Sequence, residues 1–195
     1  MIHPLANHIV TLIKQDPLRM QVLDCVAHLE LPQCYVAAGF VRNLVWDHLH
    51  GYTSPTPLND IDVIYFDPID TSYESDLQYE ALLKQRLPEL NWQVRNQACM
   101  HTRNGDEPYQ GSLDAISYWP EKETAVAVKQ SLNGDIECIS SFGLESLFDL
   151  QITPNPKRNR DIFDQRVQSK NWLTQWSKLT IGCLSLKGSF VARTN

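Results

Sequence analysis

The chain has 195 residues, with 17 Lys+Arg against 23 Asp+Glu and a formal net charge of −6. That length suits a single domain able to bury a core without disulfide or metal staples, and 43% hydrophobic with 21% charged residues excludes a wholly disordered chain. No apolar run reaches the roughly 18 residues that span a bilayer, and the acid surplus argues against extended nucleic-acid binding, which needs basic surface to neutralise phosphates.

The first thirty residues read as two helices. Leu5, Ile9, Leu12 and Ile13 form one apolar stripe, and Leu18, Val22, Cys25, Val26 and Leu29 form another. Asp16-Pro17 separates them as cap and first helical residue, and Pro32 ends the second. Tyr35 to Ala38 reads as a short strand. After Gly39 comes a helix whose Val41, Leu44, Val45, His48 and Leu49 share a face, stopped by Gly51. Residues 52–59 are a Pro/Ser/Thr-rich loop. Asp60 to Phe66, DIDVIYF, is the clearest strand, apolar on both faces after its start.

Thr71 with Glu74 resembles a capping box for a helix over 72–87. Trp92 to Met100 reads as a strand and 101–111 as a loop. A short helix capped near Ser112 or Asp114 suits residues 113–119. Residues 125–132 and 136–139 flank Asn133-Gly134 as a hairpin. Residues 143–150 are helix-like, TPNPKRN is a break, and a last helix covers 161–172. Strands and helices mix without regular alternation, so the fold class is α+β, with a mixed sheet. The domain is expected over 1–179, and 180–195 as a tail of unknown structure.

Cys25, Cys34, Cys99, Cys138 and Cys183 are odd in number, widely spaced and without a C-x-x-C pair, which suits free thiols and a cytoplasmic location. The first residues lack a basic segment followed by a long apolar one, so no signal peptide is expected. No His/Cys spacing suits structural zinc.

The chemistry concentrates in YVAAGFVRNLVWDHLHGYTSPTPLNDIDVIYFD, residues 35–67. Alternate strand residues share a face, so Asp60 and Asp62 project together, roughly 7 Å apart at Cα. Two adjacent carboxylates repel, and a divalent cation, Mg²⁺ or Mn²⁺, supplies the counter-charge through hard oxygen ligands. Gly39, at a strand-to-helix junction, lets a ligand approach the backbone where helix N–H groups are unpaired, with Arg42 and Asn43 in the first turn. Lys157, Arg158, Arg160, Arg166 and Lys170 form a basic stretch suited to a phosphate-bearing group. His101 is a candidate general base and Asn59 a turn residue. The five tryptophans read mainly as packing residues, with one free to stack on a base.

AAGFVRN and NDIDVIYFD resemble the opening and the D-I-D strand of the nucleotidyltransferase superfamily that includes DNA polymerase beta and the tRNA CCA-adding enzymes. WQVRNQACMH from Trp92, LDAISYWPEKETAVAV, SFGLESLFDL and PNPK at 154–157 are similar to a small bacterial nucleotidyltransferase-like family, over about residues 20–179. The resemblance implies a nucleotidyltransferase fold: a short mixed sheet flanked by helices, with a small helical appendage after about residue 143. It implies transfer of a nucleoside monophosphate from an NTP to an unidentified acceptor hydroxyl, with pyrophosphate released. Asp60 and Asp62 would hold metal, and Gly39, Arg42 and Asn43 the nucleotide. The superfamily's third carboxylate is absent from Trp92 to Met100, so Asp114 is the expected substitute. Ala38 replaces the usual glycine or its neighbour, and Asn43 the usual aspartate. A non-catalytic nucleotide-binding or regulatory module that keeps the fold is the alternative.

Overall fold

The computed structural model describes residues 3–182. Two helices open the chain, α1 (Pro4–Lys14) and α2 (Pro17–Ala27). Proline at the start of each wastes no hydrogen bond, because the first helical N–H groups have no partner. Asp16 caps α2 by accepting from the Arg19 amide at 3.0 Å. The second helix stops at Ala27, ahead of Pro32, and the chain then passes through positive φ at Glu30 and Gln33.

Strands β1 (Tyr35–Ala37), β2 (Ile61–Tyr65), β3 (Trp92–Asn96), β4 (Val126–Gln130) and β5 (Ile136–Ser140) form one sheet in the order β3-β2-β1-β4-β5. The β2/β3 pair is parallel and the others are antiparallel, so the sheet is mixed. Helix α3 (Gly39–His50) connects β1 to β2, and α4 (Tyr73–Arg86) connects β2 to β3. One face of the sheet carries Val36, Ile61, Val63, Tyr65, Val94 and Val128 into the main core against these helices and α1 and α2. The opposite face carries Tyr35, Ala37, Ile64 and Ala127 into a smaller cluster covered by α6 (Ser112–Ile116). Burying apolar residues on both faces is what made β2 legible as a strand.

Residues 92–100 do not form one strand. The chain turns at Asn96 into α5 (Gln97–Asn104). Asn96 caps that helix by accepting from the Ala98 amide at 3.1 Å. It also accepts from the Asp67 amide and donates to the Asp67 and Asp70 carbonyls, at 2.7–3.0 Å, so the turn is held by a polar knot that periodicity does not report. The cap of α4 is Ser72, which accepts from the Ser75 amide, one residue after the expected Thr71.

A 3-10 turn, Lys122–Thr124, leads into β4. After the β4–β5 hairpin come α7 (Glu145–Phe148), β6 (Gln151–Ile152), α8 (Arg160–Ser169) and α9 (Trp172–Gln175). The expected 161–172 helix ends at Ser169, and positive φ at Asn171 separates α8 from the further turn α9. Leu147, Ile152, Phe163, Val167, Trp172 and Trp176 of this C-terminal part join the main core. Thr180–Ile181, β7, pairs in parallel with β6; the rest of the expected tail, with Cys183, lies outside the described residues. Among the described residues no helix is long and apolar enough to cross a membrane.

Candidate active site

The site forms where β1 hands the chain to α3. Ala38 makes the turn with φ 56° and ψ −124°. Its amide donates to the Val126 carbonyl at 3.1 Å, and its carbonyl accepts from the Val41 and Arg42 amides at 3.1 and 2.9 Å. The sheet and the helix together impose this conformation, which costs a residue with a Cβ roughly 1–3 kcal/mol. The conformational demand therefore falls on Ala38. Gly39 has no positive φ, and a Cβ there would meet Asn43 Nδ2 at 3.4 Å and Arg42 Nη2 at 3.6 Å, ordinary contacts. What glycine supplies at 39 is bare backbone facing a cavity.

That cavity has a volume of about 120 Å³, and Gly39, Arg42, Asn43, Asn59, Asp60 and Asp62 all line it. Asp62 lies opposite Ala37 of β1 and Gln93 of β3, on the face away from fully buried Ile61 and Val63. Asp60 sits just before β2, and the Asn91 side chain donates to it at 2.6 Å. Burial, and then the neighbouring Asp60, push the Asp62 carboxyl above the ordinary carboxylate range; Arg42, Lys170 and Arg166 oppose the rise.

Arg42 is buried between two indoles, with its guanidinium carbon 4.9 Å from the Trp46 ring centroid and 4.5 Å from that of Trp172. It donates to Thr124 Oγ1 at 2.7 Å and to Asn43 Oδ1 at 2.9 and 3.2 Å. Burial lowers its pKa to about 10, a fall that Glu121 and Asp62 resist. These three bonds occupy part of the guanidinium's five N–H groups, leaving donors for a ligand. Arg166 on α8 and Lys170, the residue that caps the helix's C-terminus, lie about one turn apart and line the same cavity. Arg166 is held by Glu121, itself only 1% exposed, with Nε to Oε1 at 2.6 Å and Nη2 to Oε2 at 3.3 Å.

A second cavity of about 260 Å³ adjoins the first. It shares Ala38, Asp60, Asp62, Thr124, Arg166 and Lys170 and adds Trp119 and Pro120. The carboxylate pair thus stands at the boundary of two lobes.

Asp114 is not brought here. It lies in the first turn of α6, accepts from the Gln110 amide at 2.9 Å and borders a separate surface cleft with Gln33 and Ser141. Among the described residues no group of three or more His, Cys, Asp or Glu side chains could hold a metal. The basic stretch divides. Arg166 and Lys170 enter the site, while Arg158 pairs with Asp106, Arg160 with Asp164, and Lys157 lies over the Tyr118 ring. His101 lies in α5, its Nδ1 2.9 Å from the Ala98 carbonyl, and is absent from both lobes. Thr124, Glu121, Trp172 and Trp176 are site residues that the sequence reading did not single out for this role. The charged run EKET before a strand was the available sign, since it places two acids in positions that turn out to be buried.

The carboxylates suit a divalent cation of the Mg²⁺ type. They are hard oxygen donors, Asp62 lacks a hydrogen-bond donor among the described residues, and such an ion is commonly held by one or two carboxylates plus substrate phosphate.

The chain is similar to several solved structures. A solved NMR structure described as revealing a CCA-adding enzyme head domain is 33% identical, with a TM-score of 0.78, covering 91% of this chain and 96% of that one. The structure of a CCA-adding enzyme in complex with CTP has 14% identity and a TM-score of 0.56, covering 91% of this chain and 43% of that one. A tRNA-processing enzyme complex has 17% identity and a TM-score of 0.53, with 83% and 43% covered. These last two share the fold, and the chain spans under half their length. No curated protein sequence matches the chain. The model of a nucleotidyltransferase family matches residues 24–181, and the chain belongs to that family.

Proposed function

We propose that the protein transfers a nucleoside monophosphate from an NTP to an acceptor hydroxyl and releases pyrophosphate. The observation that carries this reading is the convergence, in one cavity, of the Asp60/Asp62 pair, the α3 N-terminus at Gly39, and Arg42, Arg166 and Lys170. Carboxylates and cations in one cleft suit a ligand that is itself part metal and part phosphate.

In this reading Asp60 and Asp62 hold Mg²⁺ or Mn²⁺. A divalent cation there supplies charge neutralisation of the triphosphate and lowers the pKa of a hydroxyl it binds. The chain's own residues do the positioning. The Gly39 and Phe40 amides, at the start of α3, lie where a helix has no internal acceptors and favours anions. Arg166 and Lys170 approach the phosphates from the opposite wall. Arg42, locked by Thr124, Asn43 and two indoles, contributes a fixed charge that needs no reorganisation during reaction. Catalysis is then chiefly placement and electrostatics. With Asp114 elsewhere, the two carboxylates are the only acidic ligands proposed. CTP, bound in one structure that shares the fold, is the first donor to examine.

The test is calorimetric titration of non-hydrolysable analogues of the four NTPs, with Mg²⁺, into the wild type and Asp60→Asn/Asp62→Asn. Metal-dependent binding lost in the double variant is expected. Absence of any NTP binding by the folded wild type would overturn the proposal. Binding without turnover on any acceptor would favour a nucleotide-binding module.

A further inference from the structure

The lobe beyond the carboxylates is built differently from the lobe over α3. Its wall is Trp119-Pro120. Of the five tryptophans, Trp46, Trp92, Trp172 and Trp176 are buried, whereas Trp119 is only half-buried. Trp119 packs against the small second cluster and borders the lobe. Its ring has no aromatic or cationic partner among the described residues, while Trp46, Trp172 and Trp176 pack on one another. An aromatic surface of this kind, left beside charged groups, suits a flat ring.

The wall is also held with unusual completeness. Asn155, 2% exposed, donates through Nδ2 to the Ser117 and Trp119 carbonyls at 2.8 and 2.7 Å. Its amide donates to the Pro120 carbonyl at 2.9 Å, and its Oδ1 accepts from the Lys157 amide at 2.9 Å. The PNPK run thus has a purpose in the fold, since its asparagine fixes the segment carrying Trp119. The same segment continues into Glu121, which aims Arg166, and Thr124, which holds Arg42. A buried asparagine with every side-chain group satisfied fixes a backbone with little freedom.

We infer that Trp119, set by Asn155, forms the acceptor subsite and takes a hydroxyl compound that carries a planar aromatic ring, the ring stacking on the indole and the hydroxyl facing Asp60 and Asp62. The inference rests on the proposed transfer reaction. It assigns the α3 lobe to the NTP and the Trp119 lobe to the acceptor. The same chemistry belongs to nucleosides and to simple aromatic alcohols, and the probes separate them.

The experiment follows the indole N–H resonances of the full chain by NMR, with the Trp119 signal identified by its loss in Trp119→Phe. Cytidine, adenosine and 2-phenylethanol are titrated with and without an NTP analogue and Mg²⁺, and glycerol is the ringless control. The Trp119 signal is expected to shift with at least one ring-bearing probe and not with glycerol. A nucleoside-only response would identify a nucleoside acceptor, and an equal response to 2-phenylethanol a general aromatic one. Affinity is expected to fall at least about fivefold in Trp119→Leu and to be largely kept in Trp119→Phe. Asn155→Ala is expected to move the Trp119 signal in the free protein and to weaken ring binding while NTP binding persists.

No shift with any ring-bearing probe, in a sample that binds the NTP analogue, would overturn the subsite and leave the transfer reading standing. A ring-induced shift in a sample that binds no NTP would keep the subsite and overturn the transfer reading. Loss of both responses would overturn both.

Discussion

Asp47 and Asp62 lie close in the chain, at the end of α3 and within β2, and have opposite surroundings. Asp47, 4% exposed, accepts from the Thr56 amide and hydroxyl at 2.8 and 3.0 Å and from the Trp176 indole at 2.8 Å. It ties α3 to the loop preceding Asp60 and to the C-terminal tryptophans. Asp62 receives no such donors and is pushed up by burial and by Asp60. A buried carboxylate whose two oxygens are met by three donors builds the fold. One that is half-buried and left without donors beside a second carboxylate favours a cation, and a ligand can meet it.

The largest effect that would sharpen this contrast is on turnover. Once a donor and acceptor are in hand, Asp62→Asn is expected to lower transfer at least about hundredfold, as loss of a preorganised charged group does. Its melting temperature is expected to stay level or rise, because a half-buried charge repelled by Asp60 is removed. A variant with near wild-type turnover would break the contrast.

Asp47→Ala is the converse. It strands the buried Trp176 N–H and the Thr56 amide, at a cost of about 3 kcal/mol. For a chain of this length that lowers the midpoint of a thermal melt by roughly 6–12 °C. An unchanged melt would show that Asp47 is not the tie described here.

A smaller effect separates carboxylates by sign. Burial pushes Asp106 up, but the bonds from Arg158 and Tyr109 overcome it and hold the carboxyl below the usual range. Its contribution is present above the unfolded-state value and is lost as pH falls through the folded-state one. Asp62 is raised, so its contribution is present in acid and is lost as pH rises through its elevated folded-state value. Thermal melts from pH 3 to 8 should therefore show Asp106→Asn losing most at neutral pH, with the deficit shrinking in acid. Asp62→Asn should gain on the wild type as pH rises. Parallel curves for the two variants would refute the assignment.

The smallest effect concerns Ala38. Ala38→Gly relieves a positive φ at the β1–α3 junction and is expected to raise the melting midpoint by roughly 2–4 °C, about 1 kcal/mol. A lower midpoint would mean that the methyl group's packing outweighs the strain.

Much of this protein was determined locally. Pro4, Asp16-Pro17 and Gly51 punctuate helices through φ preferences and cap hydrogen bonds, and β2 is marked by its β-branched Ile61, Val63 and Ile64. The pairing of Gly39, Arg42 and Asn43 with Asp60 and Asp62 was legible too, because one short strand-helix-strand unit carries all five. The errors fell where polar side chains override periodicity. Asn96 ends β3 because its amide satisfies a turn, and Asp114 serves its own loop. Only the tertiary structure selected Arg166 and Lys170 from the basic stretch, buried Glu121 behind Arg166, and placed Trp119 in one cavity with Asp60 and Asp62. Those choices depend on contacts between segments some 45 to 130 residues apart in the chain, such as Glu121 with Arg166 and Asp47 with Trp176. A local pattern carries no record of them, since the hydrogen bonds and packing that decide them exist only once the sheet has brought the segments together.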